Sequence, residues 1–244
     1  AFDRAVNDKP AAVLVPAIPS SLWSKQLAAL EKQGTHVIVW TTPDEPGNGI
    51  DKVFLDSAAY TANGELMADW VIADSDGAAK SVFIQIAAFP VLETMEKAYA
   101  AHLEKQCPAC SYENVTVQGT DIGKNLPSRV VSYLQSKPDT DYVVISFGGM
   151  VLGVPEALKA AGLSDKVKVV SQAGLNLNFN YIKDGGQAVD LTLSHLNLAY
   201  AALDAAARAI NGQSLDELPA SLPGIFLTQD NLDFSPEENT TWPM

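Results

Sequence analysis

The chain has 244 residues, of which 47% are apolar and 18% charged, and its formal net charge at pH 7 is −13. This balance is ordinary for a globular protein, and the acidity disfavours nucleic acid or an anionic membrane surface as a partner, since both attract clustered Lys and Arg. No apolar run approaches the roughly 20 residues of a membrane-spanning helix, so direct membrane insertion is not expected.

Six short apolar runs rich in β-branched residues recur along the chain, and each is followed by a stretch with helical spacing. The runs are Ala12–Val15, Val37–Trp40, Val82–Ile86, Tyr112–Val117, Tyr142–Ser146 and Val167–Ser171. Strands that alternate with helices over this length predict α/β units around parallel sheets. Such sheets bind ligands at the carboxyl ends of their strands, so the residues directly after each run are the candidates for a site.

The N-terminal part begins abruptly. Phe2–Val6 is long enough for only about half a helix ahead of the first run, so we expect the first elements of the fold to be absent from this sequence. Ser20–Gln33 then predicts an amphipathic helix with Leu22, Leu27 and Leu30 on its apolar face.

Further elements complete the alternation. Short strands are predicted at Val53–Leu55, Ala188–Leu193 and Ile225–Leu227. Helices are predicted at Tyr60–Ile72, after Phe89-Pro90, at Leu126–Gln135, Leu152–Ala161 and Asn197–Ile210, with one more between Val167–Ser171 and Gly185. Pro90 suits a first helical turn, because its missing N–H has no partner there in any case.

Three places are candidates for a crossing of the chain between two lobes. They are Asp56-Ser57, Ser194-His195 and Thr228-Gln229. Three crossings would make both lobes discontinuous, with residues 1–56 and 194–227 in lobe I and residues 57–193 and 228–244 in lobe II. Such an arrangement is a hinge.

The only two cysteines, Cys107 and Cys110, follow a helix and precede a strand. In a thioredoxin-like site the order is reversed, and a zinc site would need two further ligands that His36, His102 and His195 do not offer at the usual spacing. A structural disulfide that closes a tight turn is the leading interpretation, with reduced thiols or redox and metal chemistry as alternatives. A stable disulfide would imply an oxidising compartment and hence export.

Three segments resemble the type 1 periplasmic binding proteins, the ribose- and galactose-type substrate-binding proteins of ABC importers. They are Leu55–Trp70 (LDSAAYTANGELMADW), Ser146–Gly162 (SFGGMVLGVPEALKAAG) and Val167–Gly174 (VKVVSQAG). The resemblance covers essentially the whole chain in order. It implies an α/β fold of two Rossmann-like lobes with parallel sheets, joined by hinge strands and closing on a small ligand.

The resemblance also accounts for the early first strand. Family members begin with a strand and helices ahead of the strand that matches Ala12–Val15, so about fifty to sixty residues are expected to be missing, consistent with a βα unit of about 30 residues or more. The expectation is that this chain is not a self-sufficient folding unit and that a separate N-terminal segment is one of its partners. That segment could also carry a lipid anchor.

The resemblance places the ligand contacts residue by residue. In lobe I they fall at Thr41 and Thr42, where sugar binders carry an Asp-Arg pair, and near Ser194 or His195. The remaining positions are Phe89, Glu93 (an Arg in the family), Phe147 and Gly148 (an Asn-Asp pair), Gln172, and Ala173 (an Asp).

Most of the charged, bidentate groups of a pentose or hexose site are therefore absent. Each buried sugar hydroxyl left unpaired costs about 1–3 kcal/mol, so these residues favour an aromatic or weakly polar ligand over a standard sugar. Alternatives stay open for individual residues: Phe147 could pack at a strand end, and Glu93 could be a solvated carboxylate. His195 could be a ligand donor, a hinge residue or an ordinary partly buried histidine.

The leading functional hypothesis is an exported, periplasmic or extracellular, solute-binding protein that delivers a small molecule to an ABC-importer permease. The alternative is the effector-binding domain of a lac-repressor-like transcription regulator. An enzyme is not expected, since the sequence shows no nucleophile elbow, no paired catalytic carboxylates and no Cys/His pair near a strand end. No cofactor and no metal is expected.

Overall fold

The computed structural model describes residues 1–232 and has the α/β architecture expected from the sequence. The strands are β1 (Ala12–Pro16), β2 (His36–Trp40), β3 (Lys52–Phe54), β4 (Lys80–Ile86), β5 (Ser111–Val117), β6 (Tyr142–Ile145), β7 (Lys168–Gln172), β8 (Val189–Thr192) and β9 (Ile225–Leu227). The helices are α1 (Phe2–Asp8), α2 (Ser24–Lys32), α3 (Ser57–Asp74), α4 (Pro90–Gln106), α5 (Asn125–Ser136), α6 (Val154–Ala160), α7 (Asn176–Lys183) and α8 (His195–Ile210). All predicted strands are confirmed to within two residues at each end.

The chain divides into two compact units. Unit 1 comprises Ala1–Tyr60, Phe89–Val91 and Ser194–Leu222. Unit 2 comprises Thr61–Ala88, Leu92–Leu193 and Pro223–Met244, of which the structure describes the part up to residue 232.

Unit 1 contains a parallel three-stranded sheet in the order β1-β2-β3. Its core joins one face of α2 to the sheet through eight buried residues: Val15, Trp23, Leu27, Leu30, Val37, Val39, Ile50 and Val53. Phe2 of α1 stacks on Trp23 with ring centroids 4.5 Å apart, so the short first helix is held by an aromatic contact.

The start of α2 differs from the prediction. Residues Ser20–Leu22 form a 3-10 turn, and α2 begins only at Ser24. The cause is Asp44, whose carboxylate accepts bonds from both the N–H and the hydroxyl of Ser20 and so holds this residue outside the helix. Leu22, expected on the apolar face, is 77% exposed as a result.

Unit 2 contains a six-stranded sheet in the order β5-β4-β6-β7-β8-β9. All neighbours are parallel except β8 and β9, which are antiparallel. The strands β6 and β8 are buried at every position, as is typical of a parallel sheet covered on both faces. The edge strand β5 carries polar residues at Ser111, Glu113, Asn114 and Thr116 and is exposed at those positions.

The last strand corrects one lobe boundary. Ile225–Leu227 was assigned from the sequence to lobe I. In the structure it pairs with β8 of unit 2, with Thr192 opposite Ile225 and Asp190 opposite Leu227. The division in the structure therefore falls between Leu222 and Pro223. Residues 233–244, placed in lobe II, lie outside the described residues, and the remaining lobe boundaries stay predictions.

The two cysteines form a disulfide, in agreement with the leading interpretation. Cys107 and Cys110 are joined with an S–S distance of 2.05 Å. The N–H of Cys110 donates to the carbonyl of Cys107, which closes the tight turn between α4 and β5.

Candidate functional site

The candidate residues of unit 2 that follow β6 and β7 lie together at the carboxyl edge of its sheet. Phe147-Gly148 follow β6, and Gln172-Ala173 mark the end of β7, its parallel neighbour. The two loops are so close that a Cβ added at Gly148 would lie 2.8 Å from the Cα of Gly174. The half-buried Phe147 ring lies beside Gly149.

A buried carboxyl group of β8 fixes the loop after β7. Asp190 is completely buried, and its Oδ1 accepts a bond of 2.7 Å from the N–H of Gly174. Its Oδ2 accepts a bond of 2.5 Å from the hydroxyl of Ser171 on β7. A Cβ at Gly174 would lie 2.6 Å from Asp190 Oδ1, so only glycine allows this approach.

Two amide side chains extend this buried network to the loop after β6. Gln187 donates from Nε2 to the Ser171 hydroxyl (2.8 Å) and the Val189 carbonyl (2.9 Å). Asn178 of α7 donates from Nδ2 to the Gly148 carbonyl (3.1 Å) and to Gln187 Oε1 (3.0 Å). One network therefore fixes both loops that carry candidate ligand residues.

The burial of Asp190 changes its acidity. Desolvation raises the pKa of this carboxyl from 3.8 to about 6, while the bonds from Ser171, Gly174 and Gln187 favour the charged form and limit the shift. Asp190 holds the loop after β7 through hydrogen bonds, and because its side chain is buried it is not exposed for a direct contact with a ligand.

A second polar group at the same edge includes one predicted residue and one that the sequence reasoning missed. Gln172, which is buried, donates from Nε2 to the Ser146 carbonyl at 2.9 Å. Its Oε1 accepts a bond of 3.3 Å from Nδ2 of Asn63, a partly exposed residue of α3. Asn63 lies within a segment that the sequence predicted only as a helix, and no local signal marks it as special.

Glu93 lies on the first turn of α4 and points to solvent. It forms an exposed ion pair of 2.7 Å with Lys97 one turn further along, which raises the pKa of that lysine. The buried carboxylate of α4 is instead Glu96, which accepts a bond of 2.7 Å from the Tyr112 hydroxyl. Burial, together with this bond, raises the pKa of Tyr112 to about 12.

In unit 1, Thr41 and Thr42 directly follow β2. Thr41 has a left-handed backbone with φ of 60° and donates its N–H to the Phe54 carbonyl at 3.0 Å. Thr42 is fully buried, and its hydroxyl accepts a bond of 3.4 Å from the N–H of Asp44.

Left-handed backbone recurs at the strand ends. The residue after β1 (Ala17), after β2 (Thr41), after β3 (Leu55) and after β7 (Ala173) each has φ between 51° and 60°. Non-glycine residues adopt this conformation rarely, and such strain concentrates at functional sites.

Local hydrogen bonds hold the residues at the three candidate crossings between the lobes. Asp56 caps α3 by accepting from the N–H of Ala59 (2.9 Å), and Ser57 is the first residue of that helix. Ser194 caps α8 by accepting from the N–H of Asn197 (3.1 Å). Thr228 donates its N–H to Asn231 at 2.8 Å, and Gln229 donates to the Lys183 carbonyl at 3.1 Å.

Two further predicted contacts lie in unit 1. Phe89 is half-buried just before α4, and His195 is exposed as the first residue of α8. Their ligand role, and the hinge role of the crossing residues, stay predictions.

A family profile described as periplasmic binding protein domain matches residues 1–214. The chain belongs to this family. No curated protein sequence matches the chain significantly. The family consists of proteins that bind their ligands, in agreement with the expectation of a binding protein and not an enzyme.

Solved structures share the fold of this periplasmic binding protein domain at low sequence identity. The glucose-galactose binding protein GanP from Geobacillus stearothermophilus has a TM-score of 0.82 at 12% identity and covers 96% of this chain and 81% of its own. A 5-methylthioribose transporter solute binding protein from Thermotoga lettingae has a TM-score of 0.82 at 15% identity, over 95% of this chain and 72% of its own. A solute binding protein from Agrobacterium vitis bound with α-D-tagatopyranose has a TM-score of 0.81 at 18% identity, over 95% and 80%.

Within residues 1–232, no helix combines the length and apolarity that a membrane span requires. Within the same residues, no group of three His, Cys, Asp or Glu side chains could hold a metal ion.

Proposed function

We propose that this periplasmic binding protein domain is the solute-binding component of an ABC importer that delivers a small molecule to a membrane permease. The observation that carries the proposal is the fixed pair of strand-end loops in unit 2, held by the Asp190 network at the edge where α/β sheets bind ligands. Loops fixed before binding lose little entropy when a ligand arrives, as expected of a binding site.

The proposed ligand is aromatic or weakly polar rather than a standard pentose or hexose. The proposed contacts are Thr41, Thr42, Phe89, Phe147, Gly148, Gln172, Ala173 and His195, which carry no carboxylate or guanidinium. The one carboxylate of the predicted set, Glu93, already pairs with Lys97. The solved relatives are a glucose-galactose binding protein, a 5-methylthioribose transporter protein and a protein bound with tagatose, so a different ligand here would be a departure within the family.

The proposed mechanism is closure of the two lobes on the ligand about hinge residues at Asp56-Ser57, Ser194 and Thr228-Gln229. A ligand that contacts both lobes binds the closed state more tightly and shifts the population toward it. The permease would then recognise the closed state.

The proposed location is outside the cytoplasm, and the Cys107–Cys110 disulfide supports it. Thiol titration of the unfolded protein, purified without reductant, tests this point. We expect no reactive thiol. Two reactive thiols would contradict export and favour the effector domain of a cytosolic transcription regulator.

A thermal-shift screen tests the ligand class, because a bound ligand raises the apparent melting temperature by mass action. The panel contains simple sugars, phenolics, polyamines and amino-acid derivatives, and Phe147→Ala serves as the site variant. We expect a shift with a phenolic compound that Phe147→Ala reduces. If only simple sugars gave shifts, the interpretation of Thr41, Phe147 and Ala173 would be wrong.

A further inference from the structure

Three neighbouring strands of unit 2 carry polar side chains at the same level and on the same face. The register pairs Ile84 with Ile145, and Ile145 with Ser171. The next residue on each strand is Gln85, Ser146 or Gln172, and side chains at equivalent positions of neighbouring parallel strands point to one face. Two helices cover this face: Tyr142 and Lys168, both on it, bind Asp74 of α3, and Ser81, on the same face of β4, accepts a bond from Tyr99 of α4.

The hydrogen bonds fix the orientation of the Asn63 amide. Gln172 must use Nε2 as the donor to the Ser146 carbonyl, so its Oε1 faces Asn63 and requires a donor there. Nδ2 of Asn63 fills that role. The amide oxygen of Asn63, Oδ1, accepts no hydrogen bond from any residue in the part of the chain that the structure describes.

Gln85 supplies an independent sign of a missing partner. It is 5% exposed, and its Oε1 has no hydrogen-bond partner among residues 1–232. Buried polar atoms are nearly always paired in native proteins, so this oxygen requires a hydrogen-bond donor from water or from a bound molecule. Gln85 and Asn63 thus offer two unused acceptors at the same edge and on the same face.

We propose that Asn63 and Gln85 form an acceptor subsite for neutral hydroxyl groups of the ligand, one hydrogen for each amide oxygen, a proposal that rests on the proposed function. The two unpaired acceptors are amide oxygens, so each requires a ligand group that brings a hydrogen. Neither amide is hydrogen-bonded to a charged side chain in the described residues, and a charged ligand group here would be left without a countercharge. The other sequence-derived contacts would then hold the apolar part of the ligand, while Gln172, whose amide already bonds to Ser146 and Asn63, acts as a positioning residue for Asn63.

The test compares hydroxyl compounds with their methyl ethers, which keep the oxygen acceptor but lose the donor. The probes are phenol against anisole and cyclohexanol against methoxycyclohexane, with benzoate and benzylamine as charged probes, all measured by calorimetry on the whole chain. We expect a hydroxyl compound to bind about tenfold more tightly than its ether. Asn63→Leu should weaken the hydroxyl compound about tenfold and leave the ether unchanged, whereas the control Asn180→Leu, at an exposed position of α7, should change neither.

A second variant keeps the test informative if Asn63→Leu does not fold. Gln85→Met removes the unpaired acceptor at nearly constant volume, so the melting temperature of the ligand-free protein should rise by about 2–4 °C while hydroxyl binding weakens. A purely structural residue would not move stability and affinity in opposite directions.

The outcomes separate this inference from the proposed function. Equal affinity for hydroxyl and ether, an equal loss of both in Asn63→Leu, or binding of only benzoate or benzylamine overturns the acceptor subsite and leaves solute binding intact. If no small molecule from this set or the wider screen binds, both proposals fail.

Discussion

The N–H of Gly174 lies 2.7 Å from Oδ1 of Asp190, a carboxyl group with no exposed surface. This bond ties the loop after β7 to the interior of β8, its neighbour in the sheet. Because the same carboxyl also accepts from Ser171, the end of β7 and the start of the loop share one anchor. The conformation of Gln172 and Ala173 therefore depends on a residue that no ligand would touch.

Gly174→Ala should destabilise the protein, because its Cβ would lie 2.6 Å from Asp190 Oδ1 and force the loop away from its anchor. We expect the free energy of unfolding to fall by about 1–3 kcal/mol, the usual cost of overpacking. Urea unfolding measures the effect. Gly119→Ala is the control, since a Cβ there meets nothing within 4 Å, and equal stability losses in the two variants would contradict the anchor.

Asp190 should make stability depend on pH. Its folded-state pKa of about 6 lies above the ordinary value of 3.8, so the folded state binds a proton that the unfolded state has released. This contribution is fully present below about pH 4, is lost as pH rises through 6, and amounts to at most about 3 kcal/mol.

The measurement is the melting temperature of wild type and Asp190→Asn between pH 4 and 8. Asn cannot titrate, so the loss of stability between pH 4 and 6 should be smaller in the variant. Asp139→Asn, whose side chain is 82% exposed in the parent, should keep the wild-type profile. Identical profiles for wild type and Asp190→Asn would show that the buried carboxyl does not titrate in this range.

The fold could be predicted from the sequence because each strand is a short β-branched run between turn residues, a pattern that local preference and burial both favour. The site could be predicted only in part. Asp190 lies within the run Val-Asp-Leu-Thr, and nothing local distinguishes a buried carboxyl from one at a solvated position. Its burial follows from the pairing of β8 with both β7 and β9, which is a long-range property.

The helices show the same limit. In the sequence Asn63 is an ordinary polar residue of a solvent-exposed helix position. Its bond to Gln172 forms only because α3 lies over the end of β7. On α4, the family resemblance pointed to Glu93 as a ligand contact. The buried carboxylate of this helix is instead Glu96, three residues later, which accepts a bond from Tyr112. Periodicity predicts a helix, but it does not determine which carboxylate faces the neighbouring strand.

Reduction of Cys107–Cys110 should lower stability without affecting ligand affinity. The bridge closes a loop of only four residues, for which chain entropy gives about 2 kcal/mol, or roughly 4–8 °C in melting temperature. The turn lies at the start of β5, at the amino edge of the sheet, away from the loops after β6 and β7. Melting with and without dithiothreitol tests this, and the control Cys107→Ala/Cys110→Ala should show no response to the reductant.

Asn178→Ala should destabilise the protein, because one amide serves both candidate loops. Its Oδ1 accepts from the N–H of Leu175 at 2.9 Å, and its Nδ2 donates to Gly148 and Gln187. Truncation leaves three polar groups without this partner in a buried region, so we expect a loss of about 2–4 kcal/mol in urea unfolding. Asn176→Ala, at an exposed position one half-turn earlier, should cost less than about 1 kcal/mol. If the Asn178 variant were as stable as the control, water would be replacing the amide, and the two loops would be held independently of each other.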